Sequence, residues 1–354
     1  MIATQPTIGR EVLTIGARIA GIVSCLPRNE VGNDYFVDRF NENDVKDVVK
    51  MIGVKKRRWV EGDVTTRDLC SHAANRLLDG LEWDRTSVDA LIFVSQTPDY
   101  KLPATACVMQ SELGLSTSCI AFDINLGCSG YPYALWLGMT MIQSGAARRV
   151  LLAVGDTISK VVDPDDRSTA LLFGDAGTVT ALESSDSKEV VHFILGSDGQ
   201  GATNLIVSKG AYKTNTLTED VRVKNKDLAC LYMDGGEIFN FTLRTVPKLL
   251  ARTLEIADHD SGDYDAFLFH QANLFMLNHL IKKTKLSIDC APINIDSYGN
   301  TSCASIPLLI TTNLAERLRN ESLLVSMFGF GVGYSWGSAS MSIGPLKIVD
   351  VIEI

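Results

Sequence analysis

No CxxC pair and no Cys/His spacing suited to zinc occurs among the eight cysteines of this 354-residue chain, which argues against zinc-finger and thioredoxin-like chemistry. Scattered as Cys25, Cys70, Cys107, Cys119, Cys128, Cys230, Cys290 and Cys303, they suit a reducing cytoplasm better than a disulfide framework. Long hydrophobic runs are missing too. Nothing reaches the roughly 18 uninterrupted apolar residues of a membrane span, and Arg10, Glu11 and Arg18 break the N-terminal stretch, so neither a signal peptide nor a membrane association is expected. Basic charge is in deficit, at a net −9, which argues against nucleic acid as the main partner because phosphate binding needs a concentrated basic surface. No Pro-, Gly- or Ser-rich linker divides the chain, so its parts are expected to pack as one unit.

What is present is an alternation of apolar strands and helical stretches, the pattern of an α/β protein with a largely buried sheet. Residues 13–26 (LTIGARIAGIVSCL) suggest an opening strand, residues 66–81 a capped amphipathic helix, and residues 88–96 (VDALIFVSQ) a buried strand. The basic run Lys55-Lys56-Arg57-Arg58 reads as a solvated face and is the densest patch available to an acidic partner. Residues 196–226 make the expected irregular crossing. The second half repeats the theme: YDAFLFHQA (264–272) matches VDALIFVSQ, and ESLLVSMFG resembles RRVLLAVGD, which suggests an internal duplication.

The stretch 120–138 places Cys128 between an apolar strand and a helix. A helix N-terminus offers unpaired N–H groups and a positive dipole end, so a thiol there is expected to have a stabilised thiolate and an oxyanion site beside it. A lone cysteine is more often an inert core residue, so other residues must supply the case for chemistry. Of five histidines only His270 ends an apolar strand, 266–269, where active groups collect in α/β folds. Asn300 ends a third such segment, IDSYG. The closing MFGFGVGYSWGSA carries Gly329, Gly331, Gly333 and Gly337, which implies close backbone approach to a ligand or catalytic side chain.

NLGCSGYPYAL, LLFGDAGT, FHQAN, YGNTSCASIP and FGFGVGYSWGSA, in that order, resemble the β-ketoacyl-[acyl-carrier-protein] synthase III family of the thiolase superfamily. The resemblance implies a five-layered αβαβα thiolase-like fold of two similar halves, 1–190 carrying Cys128 and 191–354 carrying His270 and Asn300. It implies an acyl-enzyme on Cys128, an oxyanion held by backbone N–H groups of Cys128 and the Gly331-Val332-Gly333 loop, and His270 with Asn300 as donors to the enolate. The reaction is then decarboxylative Claisen condensation of an acyl thioester with a malonyl thioester. Acyl-CoA or acyl-carrier protein and malonyl-carrier protein are the substrates, with no metal or other cofactor. Acyl carrier protein is a partner, and a homodimer is implied. Leu102 falls where family members close the acyl pocket from a dimer loop; Arg167, Asn273 and Phe275 fall at substrate-binding positions, and Asp175 is expected to support a loop.

Two departures qualify the match. The family's clamp on the adenine of coenzyme A is absent, since Asp47 and Met51 stand at its positions, and Phe275 replaces an arginine used in carrier docking. Lys282, Lys283 and Lys285 are candidates to compensate. A divergent member primed by a carrier-bound acyl group is the expectation. Alternatives are acyl transfer to a hydroxyl or amine without decarboxylation, and a catalytically silent partner subunit. Condensation in the manner of hydroxymethylglutaryl-CoA synthases ranks lower, because it needs a glutamate base and only Glu112, in a helical stretch, is a candidate.

Overall fold

The apolar stretch expected as one strand over 13–26 is cut at Gly16, whose φ of +77° lies in the left-handed region that favours glycine. The computed structural model, which describes residues 8–213 and 229–354, has β1 (Arg10–Thr14) before that turn and β2 (Ala17–Leu26) after it. The cut sends the two pieces to different sheets. With strands numbered along the chain, the first sheet runs β15 (Ile348–Glu353), β2, β8 (Ala176–Ser184), β7 (Arg149–Asp156), β5 (Ala90–Val94), β6 (Ile120–Ile124). The second runs β1, β9 (Val191–Ser197), β14 (Ser335–Ile343), β13 (Leu323–Gly331), β12 (Ala266–Phe269).

Strand β5, ALIFV, is buried along its whole length, as a parallel strand covered on both faces must be. Helices α1 (Thr66–Leu81), α2 (Gly130–Gln143), α3 (Gly235–Ala257), α4 (Leu274–Thr284) and α5 (Ser305–Asn313) cover the sheets. Between the sheets lie α2 and α5, whose Tyr131, Leu135, Met139, Ile306, Leu309 and Ile310 pack into one core with strands of both. A helix that is apolar on nearly every side can exist only in such a position. Helix α1 covers the outer face of the first sheet, its start fixed by the Thr65/Asp68 capping box. Helices α3 and α4 cover the outer face of the second. The result is the five-layered αβαβα thiolase-like arrangement.

The strand pairs matched in sequence occupy equivalent places. β5 lies parallel to β7 in one sheet and β12 parallel to β13 in the other. The Asp89 carboxylate accepts the backbone N–H groups of Arg148 and Arg149 at the start of β7, and Asp265 accepts that of Leu324 in β13. We propose the halves 1–190 and 191–354 as the repeating units, each completed by a strand of the other, since β15 joins the first sheet and β1 the second.

Three further expectations are corrected. The run Lys55–Arg58 is a solvated face only at Lys55 and Lys56: Lys56–Arg58 form β4, paired with β3 (Glu30–Gly32), and alternation turns Arg57 fully inward, where it donates to Val31 O, Leu171 O and Asn33 Oδ1. Its neighbours Lys55, Lys56 and Arg58 pair with Asp296, Glu30 and Glu353, which offset their charge. The crossing at 196–226 is not wholly irregular, because it contains β10 (Leu205–Val207), paired with β11 (Leu231–Met233); its part over 214–226 lies outside the described residues. IDSYG is not a strand end, since Ile295–Tyr298 form one helical turn.

Candidate active site

Strand β6 runs into Leu126-Gly127-Cys128 and then α2, so Cys128 lies immediately before a helix N-terminus. Cys128 is 7% exposed. Burial, and behind it the nearby Asp156 carboxyl, pushes the thiol up to about 11, against the Ser302 hydroxyl and the backbone N–H groups of Val332 and Cys128 itself. Burial thus works against the thiolate that the helix N-terminus favours. Strand β13 delivers Gly331 beside it, so close that a Cβ there would sit 2.9 Å from the Cys128 sulfur.

His270 follows the last residue of β12 and is 1% exposed. Its Nδ1 lies 2.7 Å from the Ser305 hydroxyl, and its ring stands edge-on to Phe330 with centroids 5.5 Å apart. Burial drives the imidazole down to about 3, opposed by a bond to the Ser302 backbone, so the ring is neutral. Asn300 is stitched to the LLFGD loop: its N–H donates to Leu172 O and its carbonyl accepts from Gly174 N. Its Oδ1 accepts the Ser302 N–H at 2.9 Å, which fixes the amide orientation; Nδ2 reaches Ala272 O at 3.3 Å and has a second hydrogen to offer.

Cys128, His270 and Asn300 line one cavity of about 60 Å³, together with Asn273, Phe330 and Gly331. Cys128 also opens onto a second cavity of about 650 Å³, bordered by Gln96, Asn125, Ser302, Val332 and Gly333. The sulfur thus stands between a wide space and a narrow, largely apolar one into which the polar ends of His270 and Asn300 are set. Asn273 faces the small cavity, but its side chain also accepts Met276 N–H as the cap of α4. Asp175 supports its loop, accepting Val60 N–H and both the N–H and hydroxyl of Ser159.

Other expected positions stand apart. Leu102 is 75% exposed and borders neither cavity. Arg167 pairs with Asp44 at 3.0 Å on the surface, and exposed Phe275 packs on Phe239 and His279. Glu112 pairs with Arg67. Sequence reasoning missed Ser302, Ser305 and Asp156. The first two lie inside the YGNTSCASIP motif already singled out, and Asp156 ends RRVLLAVGD, so a strand end was the available signal.

The family models for 3-oxoacyl-[acyl-carrier-protein] synthase III and for its C-terminal part match residues 122–199 and 254–343. A putative 3-oxoacyl-[acyl-carrier-protein] synthase 3 of Campylobacter jejuni is 36% identical over 95% of this chain and 96% of its own length. A β-ketoacyl-[acyl-carrier-protein] synthase III of Thioalkalivibrio sulfidiphilus is 33% identical over 91% and 98%. The crystal structure of a 3-oxoacyl-(acyl-carrier protein) synthase from Burkholderia xenovorans LB400 superposes with a TM-score of 0.97 at 64% identity, covering 98% of this chain and 99% of that one. By likeness over almost its whole length, the chain belongs to the 3-oxoacyl-[acyl-carrier-protein] synthase III family of acyltransferases.

Proposed function

We propose that the chain condenses an acyl thioester with a malonyl thioester by way of an acyl group on Cys128, releasing CO₂ and a 3-oxoacyl product. The attacked carbonyl gains negative charge beside the backbone N–H groups of Cys128 and of the Gly331-Val332-Gly333 loop, which serve as the oxyanion site. The malonyl group then loses CO₂ in the small cavity. Its enolate oxygen takes hydrogen bonds from His270 Nε2–H and Asn300 Nδ2–H, and the carbanion attacks the acyl carbon and frees the Cys128 sulfur.

One observation supports this most. The two nitrogen side chains share a cavity with the thiol, and each has its far atom engaged, His270 Nδ1 by Ser305 and Asn300 Oδ1 by Ser302 N–H. We assign the Ser305 hydroxyl as donor to Nδ1, which places the ring proton on Nε2, and a neutral ring offers that proton without competing as a cation.

The donor is assigned to acyl carrier protein, for both the malonyl and the priming acyl group, because Asp47 and exposed Met51 offer no adenine clamp. Exposed Phe275 stands on α4 where the family's carrier-docking arginine is expected, and Lys282 and Lys283 in the last turn of that helix, with Lys285 just beyond it, supply positive charge. Leu102, exposed beside Tyr100, is assigned to the contact with a second copy of the chain. A thiol nucleophile suits the reducing cytoplasm, and the chemistry draws on no metal. Among the described residues no helix is long and apolar enough to cross a membrane.

The test separates the two half-reactions. His270→Ala and Asn300→Ala should still take up an acyl group on Cys128 yet form no 3-oxoacyl product from malonyl-carrier protein. Undiminished 3-oxoacyl formation by either variant would overturn the assignment. Efficient priming by acetyl-CoA alone would overturn the carrier-bound donor.

A further inference from the structure

The wide cavity beside Cys128 has an apolar body, with Phe173, Leu205 and Leu231 on its walls, and a polar margin that includes Gln96, Asn125 and Lys209. Its charge is one-sided. The chain carries 42 acidic and 33 basic side chains, yet among the described residues that border this cavity none is acidic and Lys209 alone is charged. Neither the Lys209 ammonium nor the side-chain amides of Gln96 and Asn125 have a hydrogen-bond or ion-pair partner among the described residues. All three side chains are exposed and so are met by water. An occupant that fills the cavity displaces that water and has to supply acceptors in its place.

The donors stand at different distances from the sulfur. Gln96 is close to it, since a Cβ on Gly127, the residue before Cys128, would overlap Gln96 Oε1. Lys209 is far from it. Leu205 borders both cavities, as Cys128 does, and so marks the near end of β10. A strand rises about 3.3 Å per residue, which puts Val207 roughly 7 Å further along the wall and Lys209 past the strand's end. The segment that carries Lys209 is tied down: the Lys101 ammonium lies 5.3 Å from the centre of the Tyr212 ring, joining it to the loop after β5 on which Gln96 stands.

We propose that the acyl group received by Cys128 is that of a dicarboxylic acid, held by one end as the thioester and carrying at the other a free carboxylate that pairs with Lys209; this rests on Cys128 being the acyl-accepting nucleophile. The methylenes between lie along Phe173, Leu205 and Leu231. A plain hydrocarbon chain of the same length would strip water from the ammonium and offer it nothing, and a cationic terminus would meet a like charge. The Gln96 and Asn125 amides are neutral, so no fixed negative charge opposes the carboxylate along its path. An extended chain advances about 3.5 Å for every three bonds, so a span of about 7 Å takes roughly six bonds, the length of a six-carbon diacid. The bonds made and broken are those of the acyl transfer already described, and the carboxylate takes no part in them.

The experiment gives the full chain acetyl-, hexanoyl-, adipoyl- and adipamoyl-carrier protein, singly and in competition, and reads the acyl mass on Cys128 by intact-mass spectrometry, with thermal melts to establish folding. Wild type should take up adipoyl about tenfold faster than hexanoyl, with the terminal amide between them. Lys209→Met should reverse the order of adipoyl and hexanoyl, and Lys209→Arg should preserve it. All donors share one carrier arm, so a contact between Lys209 and a phosphate of that arm would change every rate alike and leave the ratio in Lys209→Met as in wild type; that result overturns the proposal. Hexanoyl uptake equal to or faster than adipoyl uptake in wild type also overturns it, as does an adipamoyl rate equal to the adipoyl rate, which would replace the ion pair by neutral hydrogen bonding. Uptake of acetyl or hexanoyl without adipoyl sinks this inference alone, whereas a wild type labelled by none of the four donors sinks the proposed function and the inference with it.

Discussion

The Ser305 hydroxyl lies 2.7 Å from His270 Nδ1, so the first residue of α5 orients a ring carried by β12 in the opposite sheet layer. Ser305→Ala removes that partner and frees the choice of tautomer. A neutral hydrogen bond is worth about 1 kcal/mol, so condensation should slow roughly tenfold while acyl uptake by Cys128 stays within about twofold. Single-turnover assays of the two half-reactions check this. Equal losses in both would show that Ser305 supports the fold rather than the ring.

The neutral burial of His270 makes stability pH-dependent with a defined sign. Its folded value falls to about 3 from an ordinary 6.5, so the unfolded chain binds the extra proton and stability is lost as pH falls from about 6.5 toward 3. Asp175 runs the other way. Its carboxyl is raised by burial to about 6, so its native state takes up a proton first, and stability is gained as pH falls through 6. The difference between wild type and His270→Asn isolates the histidine. Between pH 7 and 5, wild type should lose roughly 2 kcal/mol more than the variant in urea unfolding.

At Gly331 a methyl group would meet the Cys128 Cβ at 2.8 Å and its sulfur at 2.9 Å, both far inside van der Waals contact. Gly331→Ala should therefore displace the nucleophile, with acyl uptake falling at least about a hundredfold for misplaced reacting atoms. Its stability cost should stay near 1–3 kcal/mol, the usual range for overpacking. Rapid labelling of this variant by the same acyl donor would contradict the placement of Gly331.

The core of the site was legible because two apolar strands, the YGNTSCASIP motif and a glycine-rich end announce where backbone and side chains converge. Cys128, His270 and Asn300 sit at such ends or in motifs that carry them. What escaped is set by topology. Ser302 and Ser305 are ordinary turn and helix-start residues until α5 is packed between two sheets, and Asp156 reads as a strand end until β7 lies beside β5. The cut at Gly16 was hidden because the apolar pattern of 13–26 continues through it, and only pairing shows that β1 and β2 serve different sheets. The Lys55–Arg58 run misled for the same reason: period-two alternation in β4 buries Arg57 beneath Phe36, whatever its neighbours' charge.

The central claim is that an acyl group rests on Cys128 until decarboxylation of a malonyl thioester removes it. Intact-mass spectrometry tests it most directly, with wild type and Cys128→Ala each exposed to acyl-carrier protein and then to malonyl-carrier protein while released CO₂ is counted. The account predicts one acyl mass on wild type and none on the variant, followed by discharge with one CO₂ per 3-oxoacyl product. Persistent labelling of Cys128→Ala, or discharge of the acyl group without CO₂, would contradict it.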